Sequence, residues 1–428
     1  MDKCAFTIVA KNYVGLAIIL ESSIRKYYKD LDFYIIVADE PSVDLRKEFP
    51  ENVLVGKEVL GIDVNTWDNM SFKYDITEFC TSIKPQSILY MLSLGYEKVI
   101  YLDPDIYFFS SIEFIFSELN NCSIILTPHI TSIPGMKNMD YPEKGLKANG
   151  IYNLGFCAVR NTYKTEMVLK WWYNRLINQC FADVRKSQFT DQKWIDFLPT
   201  FLYDGELKIM NHLGMNVAPW NFFERKVLVD NNKWYVKSRI GDSPTFPLVF
   251  VHYSGYDYKS LSNGIIARKN PIKMELHSDL EKLVFSYSES LIDNIGIFNK
   301  YIEEKYTYNY FNNGDVITDY HRRLYCALIE RGENIFHPFD SGDRLYRLLR
   351  SKKMIIAGNQ NCGKITKDNL PNISGKLKII NCISRFVYRL IGAHRYFLLV
   401  RLFNSYSVYE THIHLLNSKY DRNNIFKF

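Results

Sequence analysis

The first 260 residues of the chain alternate short apolar runs with longer amphipathic segments. Apolar runs at residues 6–10 and 33–38 are separated by a segment of helical periodicity at 14–28. Runs of apolar residues that are not interrupted by alternating polar residues are typical of the strands of a parallel sheet, which are buried on both faces. Strands joined by helices through short loops predict an α/β fold, with a mixed, mostly parallel sheet flanked by helices. We predict further strands at 99–102, 123–127, 151–160 and 248–251, and further helices at 72–80, 85–94 and 164–180.

The pattern changes to helices after about residue 265. Residues 275–304 and 319–353 both have clear helical periodicity. We therefore predict a domain at residues 1–265 and a helical C-terminal region at residues 266–428. The boundary is placed to within about ten residues.

The C-terminal region contains a stretch, residues 376–402, whose charges have a single sign. Large apolar residues fill the gaps between its basic residues, and it contains no Asp or Glu. A basic amphipathic helix of this kind either lies on an anionic membrane surface or packs on the preceding domain with its basic edge in solvent. The sequence leaves both interpretations open. The basic residues are Lys376, Lys378, Arg385, Arg389, Arg395 and Arg401.

Composition limits the class of protein. Of the 428 residues, 47% are hydrophobic and 23% are charged, as in soluble globular proteins, and the net charge of +6 does not indicate a nucleic-acid partner. The eight cysteines form no C-x-x-C pair and are expected to be reduced thiols. The N-terminus lacks signal-peptide features, and no run of about 18 apolar residues occurs, so we expect a cytoplasmic protein without a spanning helix.

Two acids interrupt the apolar stretch at residues 99–109. Asp103 and Asp105 flank Pro104, which has no N–H and cannot continue a central strand. Because the two aspartates lie two residues apart in extended chain, their carboxylates project to one side of the strand end. Paired carboxylates bind Mn²⁺ or Mg²⁺ together with the phosphates of a substrate. The alternative is a turn in which one aspartate caps a neighbouring backbone group.

Other polar residues follow the predicted strands. Asn12, Tyr13 and Asp39 come after the first two strands, where parallel sheets bind their ligands. His252 ends the last strand and is either a core residue or a further metal ligand. Gly255 allows backbone to approach a phosphate closely.

Two charged residues have two interpretations each. Lys84 either directs a positive charge at a diphosphate or is a solvated surface lysine. Asp191 either caps the helix that begins beside it or directs an acid into the cleft.

Taken in order, these motifs resemble the glycogenin-like and lipopolysaccharide galactosyltransferase-like family of GT-A glycosyltransferases, which have a Rossmann-like fold. The resemblance covers about residues 5–260. Within that family, the motifs are similar to those of bacterial glycosyltransferases of surface-polysaccharide assembly. Its motifs are Asn12-Tyr13, Lys84, Asp103-Pro104-Asp105, Tyr152-Asn153-Leu154-Gly155-Phe156, Asp191-Gln192-Lys193-Trp194, Trp220-Asn221 with Glu224-Arg225, and His252-Tyr253-Ser254-Gly255-Tyr256.

The resemblance implies a metal-dependent glycosyltransferase that uses a nucleotide-diphosphosugar, usually UDP-linked, and retains anomeric configuration. It implies Mn²⁺ or Mg²⁺ on Asp103, Asp105 and His252. The acceptor it implies is a growing surface polysaccharide or a lipid-linked glycan, so the enzyme would work on the inner face of the cytoplasmic membrane. Donor contacts are expected from Ala10, Asn12, Tyr13, Asp39, Lys84, Gly255 and Lys259; sugar contacts from Asn153, Asp191 and Gln192; and acceptor contacts from Trp220, Asn221 and Arg225.

One position departs from the family pattern. The family has a lysine three residues after the glycine, where this chain has Tyr258, and Lys259 follows one place later. Two other functions stay open: a nucleotidyltransferase of similar fold, and a non-catalytic, membrane-associated scaffold for polysaccharide assembly. A nucleotidyltransferase usually has a glycine-rich loop near its N-terminus, and residues 10–15 do not form one. The presence of both aspartates and His252 argues against the scaffold.

Overall fold

The computed structural model describes residues 2–133, 142–203, 205–268, 278–356 and 372–420. The chain divides into two compact units. Unit 1 comprises Met1–Val64 and Ile76–Thr307, and unit 2 comprises Asn65–Asp75 and Tyr308–Phe428. Among the described residues, we find no helix with the length and apolar character that crossing a bilayer requires.

The strands of the described residues all belong to unit 1. They are β1 (Lys3–Val9), β2 (Asp32–Val37), β3 (Val53–Val55), β4 (Lys98–Leu102), β5 (Ile106–Phe108), β6 (Ile124–Pro128), β7 (Tyr152–Arg160), β8 (Leu207–Ile209), β9 (Arg225–Asp230), β10 (Lys233–Ser238), β11 (Phe246–Pro247) and β12 (Phe250–His252).

The α-helices are distributed over both units. They are α1 (Val14–Arg25), α2 (Val43–Lys47), α3 (Gly56–Val59), α4 (Val64–Lys73), α5 (Ile76–Ser82), α6 (Lys84–Ser93), α7 (Glu113–Glu118), α8 (Pro142–Asn149), α9 (Tyr163–Gln179), α10 (Gln192–Ile195), α11 (Leu198–Phe201), α12 (Tyr258–Leu261), α13 (Ser278–Asp293), α14 (Ile295–Ile302), α15 (Asp319–Ile329), α16 (Arg344–Ser351) and α17 (Ile373–Ser405).

A seven-stranded sheet forms the centre of unit 1, in the order β3-β2-β1-β4-β7-β6-β8. The neighbours from β3 to β4 are parallel, as are β6 and β8, whereas β7 is antiparallel to both β4 and β6. Every residue of β4 is buried, as an apolar strand between two sheet neighbours requires. The predicted α/β class, with a mixed, mostly parallel sheet and flanking helices, is confirmed.

The apolar stretch that resumes after the two aspartates does not stay in this sheet. It forms β5, which pairs antiparallel with β12 so that Ile106 faces His252. The turn at Pro104 separates β4 from β5, because proline has no N–H with which to continue a ladder. Two elements distant in sequence therefore meet at the aspartates.

A three-stranded sheet, β11-β10-β9, was not predicted. Asn231 and Asn232 join β9 to β10, and both have positive φ, 48° and 60°. Positive φ at both central residues is typical of the tight hairpin turn that matches the twist of its strands. The strands of this hairpin are only partly buried, so their apolar pattern is weak.

The division between the units lies at residues 307 and 308, whereas the sequence predicted a boundary near residue 265. Helices α13 and α14 belong to unit 1 because their apolar faces complete its core. The ring of Tyr287 stacks on that of Tyr253 at 4.0 Å, and the Tyr253 hydroxyl donates to the carbonyl oxygen of Leu283 at 3.0 Å.

Unit 2 is helical, as predicted for the C-terminal region. It also includes residues 65–75, because the buried guanidinium of Arg322 donates to the carbonyl oxygens of Ser71, Phe72 and Tyr308. Phe72 packs in the apolar core of this unit against Tyr325, with ring centroids 4.8 Å apart.

Candidate active site

The two aspartates lie at the end of β4, at the edge of the sheet where parallel strands bind ligands. The backbone N–H of Asp103 donates to the carbonyl oxygen of Gly155 at 2.8 Å, and the backbone carbonyl of Asp105 accepts from Tyr253 N–H at 2.8 Å. The peptide groups of the turn are thus held by β7 on one side and by the residue after β12 on the other. Both carboxylates are left to face the same space.

His252 completes this group. Its Nε2 lies 3.0 Å from Asp105 Oδ1 and 3.7 Å from Asp103 Oδ2. The ligand atoms of the three residues all lie within 4.8 Å of one another. Two carboxylate oxygens and an imidazole nitrogen suit a divalent ion such as Mn²⁺, so the residues present fit a metal.

Further residues orient these three ligands. Asn153 Oδ1 lies 3.2 Å from His252 Nδ1 and can accept its proton, and in a neutral ring with this tautomer the Nε2 lone pair is directed at the aspartates. The Tyr101 hydroxyl donates to Asp103 Oδ1 at 2.5 Å, and the Tyr258 hydroxyl lies 2.8 Å from Asp105 Oδ2.

Each of the three residues affects the pKa of the others. Burial raises the pKa of Asp103 above its usual value, although Lys84 and His252 oppose the increase. Burial also acts to raise the pKa of Asp105, but His252 and Tyr258 outweigh it and hold that pKa below its usual value. Burial lowers the pKa of His252, but Asp105 outweighs burial and raises that pKa above its usual value. A divalent cation beside these groups would favour two ionised carboxylates and a neutral imidazole.

Lys84 and Asp191 form a buried ion pair behind the aspartates. Lys84 Nζ lies 2.6 Å from Asp191 Oδ2, donates to the carbonyl oxygen of Leu154 at 2.8 Å, and lies 4.3 Å from the centre of the Tyr101 ring. Lys84 is 1% exposed, which excludes the interpretation as a surface lysine. Burial lowers the pKa of Lys84, but Asp191 and Asp103 outweigh this and raise it above its usual value.

Asp191 also makes no capping bond to the helix that follows it. Its Oδ1 instead accepts from the Thr190 hydroxyl at 3.1 Å, so both carboxylate oxygens have partners. Next to it, Gln192 Oε1 accepts from Leu154 N–H at 3.2 Å, and its Nε2 donates to the carbonyl oxygen of Asn149 at 2.8 Å. The structure brings Asn153, Asp191 and Gln192 together beside the aspartates.

A cavity of about 780 Å³ opens in front of the aspartates. Its volume is in the range of pockets that hold a small-molecule ligand. The walls come from the ends of β1 and β4, from α5, and from the segment after β12. Lining residues include Ala10, Asn12, Tyr13, Thr77, Tyr101, Asp103, Asp105, Gly255, Tyr256, Asp257, Tyr258, Lys259 and Arg268.

Asn12 and Tyr13 line one end of this cavity. Asn12 Oδ1 is buried and has no hydrogen-bond partner within the described part of the chain. The neighbouring Tyr13 ring packs edge-on against Tyr258, with centroids 6.0 Å apart. A buried acceptor without a partner is costly, so this oxygen suits a ligand that supplies an N–H or O–H donor.

Asp39 does not line the cavity. Its Oδ1 accepts from Lys11 N–H at 2.8 Å, and its Oδ2 accepts from Thr307 N–H at 3.0 Å. Burial raises the pKa of Asp39, and Lys11, whose Nζ lies 3.4 Å away, opposes the increase. The side chain therefore supports the loop that carries Asn12 and Tyr13.

This chain has no lysine at the position where the resemblance predicts a phosphate-binding lysine. Tyr258 stands there and contacts Asp105, while the Lys259 ammonium pairs with the exposed Glu303 at 2.6 Å. Arg268 is a second cation on the cavity wall, and sequence reasoning missed it. Its side chain lies over the Tyr256 ring at 4.8 Å and donates to the carbonyl oxygen of Ser254 at 3.1 Å.

Only long-range backbone pairing places Arg268 here. Tyr256 and Arg268 form an antiparallel bridge, and Asp257 N–H donates to the carbonyl oxygen of Ala267 at 2.9 Å. Gly255, with φ of +76°, lies beside the guanidinium. No local sequence signal around residue 268 indicates this arrangement.

The three predicted acceptor residues differ in their surroundings. The Trp220 ring lies edge-on to His252 and to His129, with centroids 5.1 and 5.3 Å apart, and its buried indole N–H has no partner among the described residues. Asn221 bonds to the backbone of Asn216 and Ala218, and Arg225 donates to the carbonyl oxygen of Leu213 at 3.1 Å. Asn221 and Arg225 are fully buried and hold the loop that presents Trp220.

The chain was compared with known proteins. No protein-family model matches it. It is 24% identical over 266 residues to the uncharacterized protein YfnF of Bacillus subtilis, a match that covers 61% of this chain and 84% of that protein. The uncharacterized protein YfnD of the same organism is 23% identical over 254 residues, with 58% and 76% covered.

Solved structures to which this chain is similar include proteins named as glycosyltransferases. The galactosyltransferase LgtC, crystallised with donor and acceptor sugar analogs, shares 17% identity over 60% of this chain and 87% of that chain, with a TM-score of 0.35. Mouse xyloside xylosyltransferase 1 shares 12% identity over 51% and 88%, with a TM-score of 0.33. The glycosyltransferase GlyE of Streptococcus pneumoniae shares 14% identity over 73% and 67%, with a TM-score of 0.36. Identities and TM-scores in this range do not assign a function to this chain.

Proposed function

We propose that the chain is a metal-dependent glycosyltransferase that moves a sugar from a nucleotide-diphosphosugar to a glycan acceptor. One observation carries the proposal. Asp103, Asp105 and His252 have metal-ligating atoms within 4.8 Å of one another, and the two aspartates line a cavity of about 780 Å³. A metal with mixed oxygen and nitrogen ligands beside a cavity of this volume suits a diphosphate donor.

A divalent ion, Mn²⁺ or Mg²⁺, would be held by these three side chains. When bound, it neutralises the negative charge that develops on the departing nucleoside diphosphate. Asn153 sets the tautomer of His252, and Tyr101 and Tyr258 fix the two carboxylates. These contacts hold the ligands in place before the donor binds, which reduces the cost of reorganisation.

The nucleoside is assigned to the end of the cavity at Ala10, Asn12 and Tyr13. The unpartnered Oδ1 of Asn12 suits the imide N–H of uracil, which supports a UDP-linked donor. The face of Tyr13 offers a surface on which a base can stack. Asp39 acts here as a positioning residue, through its bonds to Lys11 and Thr307.

The diphosphate is assigned to the wall formed by Gly255 and Arg268, next to the metal ligands. Gly255 gives the phosphate access to backbone, and a guanidinium can bind two phosphate oxygens at once. Lys259 also lines this wall, but its ammonium is paired with Glu303.

The sugar is assigned to the side of Asn153, Asp191 and Gln192. Asp191 cannot act freely there, because Lys84 and Thr190 occupy both of its oxygens. We assign it the role of orienting the sugar and of supporting positive charge at the anomeric carbon, with Lys84 as its fixed partner. The resemblance supports retention of configuration.

The acceptor is assigned to the Trp220 side of His252. The aromatic ring and the unpartnered indole N–H suit a sugar, which has apolar faces and hydroxyl acceptors. The resemblance supports a growing surface polysaccharide or a lipid-linked glycan. With such an acceptor, we propose a cytoplasmic enzyme that is peripheral on the inner face of the membrane.

The test is a screen of nucleotide sugars for hydrolysis and transfer by the purified protein, with Mn²⁺ and with EDTA. We expect turnover of one UDP-sugar that requires the metal, and proton NMR of the product to show the retained anomer. Asp105→Asn should reduce turnover at least about a hundredfold, since it removes a charged ligand. Asp257→Asn is the matched control, because Asp257 lines the same cavity but caps α12, a role that Asn also fulfils. Full activity in EDTA, or in Asp105→Asn, would contradict the metal assignment.

A further inference from the structure

Helix α17, Ile373–Ser405, exposes most of its apolar side chains. Phe386 and Leu390 are 66% and 73% exposed. A contiguous exposed apolar surface of this kind marks an interaction site in a protein that has to stay in solution. The exposed apolar residues of the helix are Leu377, Ile379, Ile380, Ile383, Phe386, Leu390, Phe397, Leu398, Val400, Leu402 and Phe403.

The first part of the helix carries one row of apolar residues and one row of basic residues. Ile379, Ile383, Phe386 and Leu390 follow the spacing i, i+4, i+7, i+11, which places them along one side. Lys378, Arg385 and Arg389 follow the spacing i, i+7, i+11, which places them along a neighbouring side, about 110° around the helix axis. Gly392, with φ of 78° and ψ of 167°, ends this regular part and sets the direction of the residues that follow.

The charge of the helix has one sign. It contains six Lys or Arg residues and no Asp or Glu, whereas the whole chain has 53 basic and 47 acidic residues. The surplus of the helix alone is therefore +6, which equals the net charge of the chain.

These observations identify the kind of partner. A second copy of the chain would place one single-signed helix against another, which repulsion between like charges disfavours. A nucleic acid would match the charge but would leave the isoleucine, leucine and phenylalanine face in water. A bilayer with anionic lipids offers both phosphates and an apolar layer beneath them.

We infer that α17 is a membrane-docking surface that lies in the plane of an anionic bilayer. Its apolar face enters the boundary between headgroups and acyl chains, and its basic side chains lie among the lipid phosphates. This inference rests on the peripheral location in the proposed function and names the surface that would bind the membrane. Its test does not depend on sugar transfer.

The test is co-sedimentation of the full chain with vesicles of phosphatidylcholine, with and without phosphatidylglycerol. We expect binding that requires phosphatidylglycerol and weakens as salt is raised, because salt screens the attraction. The double variant Arg385→Gln/Arg389→Gln should reduce partitioning about thirtyfold, since each basic residue near an anionic surface contributes on the order of 1 kcal/mol. Phe386→Ser/Leu390→Ser keeps the charge and should also lose binding.

The matched control is Lys226→Gln/Lys233→Gln, which removes the same charge from exposed positions of the β9–β10 hairpin. It should leave partitioning unchanged. Three results would overturn the inference: a full chain that ignores anionic vesicles, a control pair that weakens binding as much as the α17 pair, or a dimer in light scattering that Phe386→Ser/Leu390→Ser dissociates without any vesicle binding. Circular dichroism verifies that the variants, which alter exposed side chains, remain folded.

Discussion

Gly155 leaves room for the imidazole of His252. A Cβ at this position would come within 2.4 Å of His252 Cε1, 2.7 Å of its Nδ1 and 2.9 Å of Asn153 Oδ1. Real Cβ atoms do not approach other atoms so closely, so an alanine has to displace the histidine, the asparagine or the strand.

We therefore expect Gly155→Ala to weaken Mn²⁺ binding in the presence of UDP by about tenfold or more, the range found when the support of a metal ligand is disturbed. The free energy of unfolding should fall by about 1 to 3 kcal/mol. Isothermal calorimetry and urea denaturation measure the two effects. In the control, Gly296→Ala, the new Cβ meets no atom within 4 Å, so neither quantity should decrease. Unchanged metal affinity in Gly155→Ala would contradict the expectation that the packing of His252 against Gly155 supports the metal site.

Arg268 provides a second prediction at the scale of the residue. If it binds the diphosphate, Arg268→Gln should lower the affinity for UDP about tenfold to a hundredfold, as expected for loss of charge-assisted hydrogen bonds. The affinity for uridine, which has no phosphate, should stay the same. Calorimetry with both ligands separates the two results.

Lys259→Gln is the matched control, because Lys259 lines the same wall but pairs with Glu303. We expect a smaller effect from it than from Arg268→Gln. A larger effect would assign the phosphate to Lys259, as the family resemblance implies. Equal losses for UDP and uridine in Arg268→Gln would mean that the arginine only shapes the cavity.

Among the elements, the first turn of α15 contains a histidine, His321, whose two ring nitrogens both form hydrogen bonds. His321 Nδ1 accepts from the backbone N–H of Thr318 at 3.0 Å, and its Nε2 donates to the carbonyl oxygen of Met354 at 2.9 Å. Only the neutral ring can make both bonds. Burial lowers the pKa of His321 to about 4.

This lowered pKa makes the stability of unit 2 depend on pH. Below about pH 6.5 the unfolded chain binds a proton at this histidine, whereas the folded chain does not until about pH 4. The free energy of unfolding therefore falls as pH decreases through this range, by about 2 kcal/mol at pH 5 for this group. Urea denaturation at pH 7 and pH 5 should show a smaller decrease in His321→Asn than in the wild type. The exposed His337→Asn should behave as the wild type. An equal decrease in all three proteins would contradict the prediction.

Some elements could be predicted from the pattern of their own residues, and others could not. Most strands of the central sheet and the long helices follow from periodicity and length, because each is defined by residues that are close in sequence. The β9–β10 hairpin was missed because its strands are half-exposed and carry little apolar contrast. Proline at position 104 indicated that β4 ends at the aspartates, but not that the next strand would pair with β12.

At the scale of the whole molecule, a bound donor should stabilise unit 1. A ligand that binds only the folded state at 100 times its dissociation constant adds about 2.7 kcal/mol to the free energy of unfolding. With UDP and Mn²⁺, we expect amide hydrogen exchange to slow most in three segments that contain cavity-lining residues, 10–13, 101–105 and 255–258. Asp105→Asn should show no such protection under the same conditions. Protection confined to other segments would place the nucleotide elsewhere.

The sequence by itself determined the α/β class, the strand that carries the acid pair, and the polar residues at the strand ends. These features depend on periodicity, on turn chemistry and on the cost of a carboxylate at the end of a buried strand, all of which are local. The family resemblance added the expected roles, including that of His252.

Tertiary structure alone decided which of these residues meet. Lys84 and Asp191 are 107 positions apart, and a buried lysine becomes tolerable only where the fold supplies its carboxylate. Arg268 reaches the cavity through backbone pairing with Tyr256, and the division at residues 307 and 308 follows from the packing of α13 and α14 into the core. Such contacts depend on which distant surfaces become buried together, and the pattern of a single segment contains no information on its distant partner.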